Sequence, residues 1–211
     1  MVNPGFQLSL DVKGRPCVVI GGDEEAAEKV GRLLEAGAKV TVVHPTLHDR
    51  LKKLAAAAKI IHRVRTFRAS DAEGVALVLN TLRTDEDYAK SLYELARKER
   101  FLLCSTDLPE YSTCMMPALV SRGRLRLAVS TSGAAPALAS RLRQDLEALF
   151  DDEFQAFLTW LEEQREHLQQ AQGDADARRQ ALRDAVEGFH LSGSFTYPSH
   201  WAEEWQRRLQ K

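Results

Sequence analysis

Three stretches of this 211-residue chain hold residues whose types and spacing could do chemistry. The first reads Val18-Val19-Ile20-Gly21-Gly22-Asp23-Glu24-Glu25-Ala26-Ala27. An apolar run that turns through glycines into a helix sets backbone N–H groups and the helix's positive end against a dinucleotide's diphosphate. Glycine serves any tight strand-to-helix turn as well, so the pattern alone leaves both readings open. Ala26 stands where a small residue lets the helix approach the strand. Asp23 stands where a second fingerprint glycine is usual, and Glu24 and Glu25 follow it. These carboxylates complement the helix's positive end. They oppose a diphosphate, each close contact costing about 1 kcal/mol at a partly solvated site. The second apolar run ends Val43-His44-Pro45-Thr46. It offers neither the acid that normally holds a ribose nor an arginine for a 2′-phosphate.

The second stretch is Leu102-Leu103-Cys104-Ser105-Thr106-Asp107-Leu108-Pro109. Asp107 follows an apolar run, and ligands of open α/β sheets bind at the carboxyl ends of the strands. A carboxylate there can orient a substrate or accept its proton. A turn-forming Asp ahead of Pro109 is the plainer alternative. The third stretch, Ser130-Thr131-Ser132-Gly133-Ala134-Ala135-Pro136, opens a helix. Hydroxyls and free N–H groups at a helix start make an anion site, and simple capping is the alternative. Arg122, Arg124, Arg126, Arg141 and Arg143 lie close by in sequence, and guanidinium groups grip carboxylates. The six histidines form no ligand-like cluster in sequence, and no Cys-x-x-Cys or His-x-x-x-His spacing suggests zinc, so no metal site is expected.

The elements that must position these residues alternate. The β-rich runs Cys17–Ile20, Val40–Val43, Ile60–Val64, Ala76–Asn80 and Leu102–Ser105 are separated by helical stretches near Glu24–Glu35, Leu47–Ala57 and Asp85–Lys98. Strand–helix alternation predicts a parallel sheet covered on both faces. Two further β-like runs, Cys114–Val120 and Leu125–Val129, flank Ser121–Arg124 as a hairpin. Pro136 suits the first turn of the helix that follows. From Asp151 the chain is polar with helical periodicity (Phe154, Phe157, Leu158, Leu161, then Leu182, Ala185, Val186 and Phe189), interrupted by an exposed turn around Gly173. An aromatic tail, Tyr197, Trp201 and Trp205, ends it. The net charge of −1 gives no field for nucleic acid or an anionic membrane. No run reaches membrane-spanning length and no signal peptide is evident, so a cytoplasmic protein is expected. Cys17 and Cys104 read as small buried hydrophobes.

In their order, these pieces resemble the precorrin-2 dehydrogenase/sirohydrochlorin ferrochelatase family, which includes the N-terminal module of siroheme synthases. The likeness runs from about Phe6 to Leu149. It is carried by the Leu10-Asp11-Val12-Lys13-Gly14-Arg15 lead-in, the strand–Gly-Gly–Ala turn, Leu33-Leu34-Glu35-Ala36-Gly37-Ala38 and Val40-Thr41-Val42-Val43-His44-Pro45. Further on it rests on Asp107-x-Pro109-Glu110, Met116-Pro117-Ala118 and Ala128–Ala139. The resemblance implies a Rossmann-like domain over residues 1–110, a hairpin/helix dimerisation segment over 111–150 and a helical part over 151–211. It implies a homodimer that oxidises precorrin-2 to sirohydrochlorin with NAD, some relatives also inserting ferrous iron. The family's key carboxylate falls on Asp107. Its nucleotide contacts fall on Glu24, Glu25, Pro45 and Thr46, beside Gly21, Gly22 and Asp23. Thr131 takes the place of a serine phosphorylated in some relatives. The tetrapyrrole's many carboxylates suit Arg122, Arg124 and Arg141 with the Ser130–Gly133 helix start.

Three departures fall on the cofactor side. Asp23 replaces a third glycine, Thr81-Leu82-Arg83-Thr84 replaces an Ala-Thr-Asp/Asn-Asp motif, and Cys104 replaces an asparagine. Together they predict an altered or lost NAD site. The rival readings are a relative that keeps the tetrapyrrole cleft as chelatase, carrier or partner subunit without the dehydrogenase step, and a scaffold that associates through its helical tail.

Overall fold

A computed structural model describes residues 5–83, 86–170 and 174–198, together with Trp201 and Arg207. Thr84, Asp85, Gly173, His200 and Trp205, invoked above, lie outside the described residues. The chain divides into two compact units, one of residues 1–121 and 126–149, the other of 122–125 and 150–211.

The first unit alternates β1 (Pro16–Ile20), α1 (Glu24–Glu35), β2 (Lys39–Val43), α2 (Asp49–Ala56), β3 (Ile61–Arg63), β4 (Leu77–Asn80), α3 (Glu86–Glu99) and β5 (Leu102–Ser105). The five strands form one parallel sheet in the order β3-β2-β1-β4-β5. This is the Rossmann-like α/β arrangement that strand–helix alternation predicts. The strands read as unbroken apolar runs because both faces are covered. On one face Cys17, Val19, Val40, Val42, Leu77 and Leu79 pack with Ala26, Ala27, Val30 and Leu33 of α1 and Leu51 of α2. The alternate residues Val18, Ile20, Val43, Val78 and Leu103 pack with Leu92 and Ala96 of α3. Val19, Val30 and Leu51 are wholly buried, and such side chains each contribute about 1.5–3 kcal/mol. The pairings Ile20↔Val43, Ile20↔Asn80 and Asn80↔Ser105 bring β1, β2, β4 and β5 to a common carboxyl edge.

A buried charge fixes the connection after β3. Asp71 has a side chain with no exposed surface. Its oxygens accept from Nη1 and Nη2 of Arg65 at 2.7 Å each, from Arg63, and from the Arg68 backbone N–H at 2.8 Å. Removing one partner of a buried network leaves the others uncompensated. Asp71→Ala is expected to cost about 2–4 kcal/mol, lowering the melting temperature by about 5–15 °C. A melt followed by circular dichroism that does not move would show the network to be dispensable.

Next come β6 (Ala118–Arg122) and β7 (Leu125–Val129), which pair as a hairpin, and α4 (Pro136–Leu149). The sequence predicts a strand from Cys114, but β6 begins only at Ala118. Pro117 has no N–H to give a ladder. Upstream, the N–H groups of Thr113 and Cys114 both donate to Leu103 O, at 2.8 and 3.1 Å, so this stretch is committed to β5. In the second unit, α5 (Asp152–Gln170) packs against α6 (Ala175–Asp184), and ring contacts tie α5 to the segment that follows α6. Phe189 meets Phe157 at 5.4 Å and Phe154 at 6.1 Å, and Phe154 meets Phe150 at 4.6 Å. α6 stops at Asp184, so Ala185, Val186 and Phe189 follow the helix.

Candidate functional site

The carboxyl edge is organised around the boundary between β1 and β4. The chain winds from β1 outward through β2 and β3 on one side, and β4 and β5 lie on the other. That reversal is the topological switch point at which open α/β sheets leave a crevice for ligands.

Gly21 and Gly22 turn the chain from β1 into α1 under tight constraints. Gly21 has φ +142°, and a Cβ there would lie 2.0 Å from Thr81 Oγ1. Thr81 is buried just past β4, with its N–H and hydroxyl both donating to Ile20 O, at 2.9 and 3.2 Å. A Cβ on Gly22 would lie 2.0 Å from Thr46 O and 2.6 Å from His44 Nδ1. Gly22 O in turn accepts from the His48 N–H at 2.5 Å. The fold thus gathers Gly21, Gly22, Pro45 and Thr46 in one place. Both glycines are required by the close approach of neighbouring protein atoms.

Asp23 has its own local role. Extended at φ −88° and ψ −170°, it is the N-cap of α1, its Oδ1 accepting from the Ala26 N–H at 2.9 Å. Such caps satisfy donors that the first helical turn leaves open. Glu25 is held on both oxygens, by the Arg83 guanidinium and by the Thr106 hydroxyl at 3.2 Å. Arg83 Nε also lies 3.4 Å from Asp107 Oδ2. Side-chain exposures of 18% for Glu25, 58% for Arg83 and 69% for Asp107 describe a network anchored on α1 and open to solvent at Asp107. The hydrogen bond to Glu25, then the charges of Glu25, Asp107 and Asp23, hold the Arg83 guanidinium above its ordinary range. Asp107 adopts φ +60°, a left-handed conformation that Asp tolerates, in a turn where Leu108 N–H donates to Ser105 O at 3.3 Å. It is therefore a turn residue and, at once, a carboxylate at the sheet's carboxyl edge, where open α/β sheets commonly bind ligands. In the sequence Arg83 stands out only as a departure from a motif. A cation directly after the fourth strand, facing an acidic helix start, was the signal available.

At the α4 start, Ser130 Oγ accepts from Ser132 N–H and Thr131 Oγ1 from Ala135 N–H, both at 3.1 Å. Those two hydroxyls serve as local caps. Arg141 pairs with Asp145 at 3.1 Å in α4. In the second unit Arg122 meets Asp152 and Arg124 meets Glu162, each at 2.5 Å. An open groove of about 500 Å³ lies past the end of β2, lined by Pro45, Thr46, Leu47, Lys52, Ala55 and His62. Burial raises the Cys104 thiol and pushes Cys114 up to about 12, so both are protonated near neutrality and poor nucleophiles. Among the described residues no group of three or more His, Cys, Asp or Glu side chains could hold a metal ion. No described helix is long and apolar enough to cross a membrane.

Residues 8–118 match a family model described as putative NAD(P)-binding, and residues 122–149 match one described as sirohaem biosynthesis protein central. The siroheme synthase of Methylobacillus flagellatus is 34% identical over 181 residues, covering 86% of this chain and 38% of that protein. The siroheme synthase of Neisseria meningitidis serogroup C is 36% identical over 144 residues, covering 68% and 30%. The chain thus spans well under half the length of these relatives. A solved structure titled SirC, precorrin-2 dehydrogenase, superposes with a TM-score of 0.75 at 23% identity over 98% of this chain and 99% of that one, so the two share a fold.

Proposed function

This chain belongs to the putative NAD(P)-binding family, in the form that carries a sirohaem-biosynthesis central segment, and on that premise we propose that it is an NAD-dependent precorrin-2 dehydrogenase. It would oxidise precorrin-2 to sirohydrochlorin in siroheme or cobalamin synthesis, in the cytoplasm and as a homodimer built through residues 111–150.

The observation that carries this reading is Asp107: a solvent-reaching carboxylate at the end of β5, linked through Arg83 to the first turn of α1 across the switch-point crevice. The edge suits a dinucleotide. The Gly21-Gly22 turn leads into α1, and the first-turn N–H groups of Glu24 and Glu25 have no acceptor within the helix. Asp23, Glu24, Glu25, Pro45 and Thr46 border that position. Bound nicotinamide supplies the hydride acceptor. The chain's own part is to hold the macrocycle and take its proton, and Asp107 is the base at hand. The substrate's carboxylates would be gripped by Arg141 and by donors of the Ser130–Gly133 turn. Ferrochelatase activity would need no protein metal ligands, since the macrocycle binds the ion.

One observation favours the rival, a tetrapyrrole carrier or chelatase without the dehydrogenase step. Asp23 consumes the Ala26 N–H and adds negative charge where a diphosphate would rest. Anaerobic mixing of the purified chain with precorrin-2 and NAD decides between them. NADH absorbance should rise with turnover. A flat trace, with calorimetry showing no NAD binding but tight sirohydrochlorin binding, would replace the dehydrogenase by the carrier or chelatase.

A further inference from the structure

The Arg83–Glu25 contact joins the two elements that flank the switch-point crevice. Glu25 lies in the first turn of α1, directly after β1, and Arg83 lies three residues beyond the end of β4. β1 and β4 are hydrogen-bonded neighbours, with Ile20 beside Asn80. An extended ligand whose diphosphate rests at the start of α1 therefore lies against this ion pair.

The charge there is lopsided. Asp23, Glu24, Glu25 and Asp107 are acids, and Arg83 is the cation in contact with Glu25 and Asp107. The usual supply of donors is reduced as well, since the Ala26 N–H is already taken by Asp23. Beside the remaining first-turn N–H groups, a diphosphate bound at this edge gains from a full positive charge that offsets the surrounding carboxylates. Arg83 has the right chemistry, because its planar fork can bond two anion oxygens together. It has the freedom too, being 58% exposed. The backbone that presents it is nonetheless fixed, by Leu82 N–H donating to Asn80 Oδ1 at 3.1 Å and by Thr81 bonded to Ile20.

We propose that Arg83 is the anion-binding residue of this edge: Glu25 and Asp107 hold its guanidinium, and a dinucleotide's diphosphate takes the place of Glu25. Glu25 is then an internal competitor for the same cation. The proposal rests on the nucleotide-binding reading above and adds the residue that makes an acidic helix start compatible with it.

The test is a titration of the full chain with NADH, followed by fluorescence and calorimetry, for the unaltered protein, Arg83→Gln, Arg83→Lys, Glu25→Gln and the double variant R83Q/E25Q. Loss of charge-assisted hydrogen bonds predicts about 10–100-fold weaker NADH binding for Arg83→Gln, with Arg83→Lys intermediate. Glu25→Gln should tighten binding by about 3–10-fold, and that gain should vanish when Arg83 is absent. Equal gains in both backgrounds would make Glu25 a mere field effect and overturn the competition. Unchanged NADH affinity in Arg83→Gln, or a loss confined to precorrin-2, would overturn the assignment while leaving the nucleotide reading intact. Failure of the unaltered chain to bind NADH would overturn both. Circular dichroism melts of each variant show that affinity is compared between folded proteins.

Discussion

Asp107→Asn is expected to lower dehydrogenase turnover by about 10²–10⁴-fold while leaving NADH affinity within a factor of about 3. Asparagine is the informative substitution because two roles coincide at this position. Asp107 holds a left-handed backbone, φ +60°, in the turn after β5, and its carboxylate reaches solvent at the sheet's carboxyl edge. Asparagine accepts that backbone conformation about as well as aspartate and nearly matches its volume. It cannot accept a proton. If the residue served the turn alone, Asp107→Asn would retain full activity, and that result would remove Asp107 from the chemistry. Asp107→Ala should be equally inactive, with an added loss of about 1 kcal/mol in stability because alanine resists φ above zero. Single-turnover mixing with NADH formation as readout separates the two, since a structural defect would also change the binding phase.

The second large effect is in stability, and it turns on one contact. Gly21→Ala places a methyl 2.0 Å from Thr81 Oγ1 on a backbone at φ +142°. Thr81 yields poorly, being buried, stiff at χ1 and bonded to Ile20 O. Backbone strain and overpacking together predict a loss of about 3–5 kcal/mol, or a melting temperature lower by about 6–20 °C. Thr81→Ala alone should cost about 1 kcal/mol through its lost hydrogen bond. In the G21A/T81A double variant the methyl gains room, so the two losses should fall short of additive by at least about 1 kcal/mol. Strict additivity in urea melts would mean that the glycine is required by backbone conformation alone.

Much of this architecture is legible in the sequence because it is local. The α1 boundaries, Glu24–Glu35, follow from an apolar stripe that begins after a capping residue. The β5 run Leu102–Ser105 and the Leu125–Val129 strand follow from length and turn punctuation. Asp107 follows the fifth apolar run in the sequence and follows β5 in the fold. What escaped the sequence is what depends on distant partners. Arg83 meets Glu25 across 58 positions of the chain, and no periodicity encodes that. Even a nearby partnership can be silent: no pattern in the sequence marks that Arg63 and Arg65 draw Asp71 out of solvent. In the sequence Asp23 reads as an obstacle to a diphosphate. Its hydrogen bond to Ala26 gives it a role in the fold whether or not a ligand is present.

The bond from His48 N–H to Gly22 O has a consequence for how this edge meets any ligand. It stitches the turn after β1 to the loop after β2, and Thr46 O closes the space over Gly22 from the same side. The two loops therefore form one preassembled wall, set when the domain folds. Ordering flexible loops on association commonly consumes part of the interaction energy. Here that entropy has already been surrendered, so the strength of binding should track the balance of charge along the wall more than any closing motion.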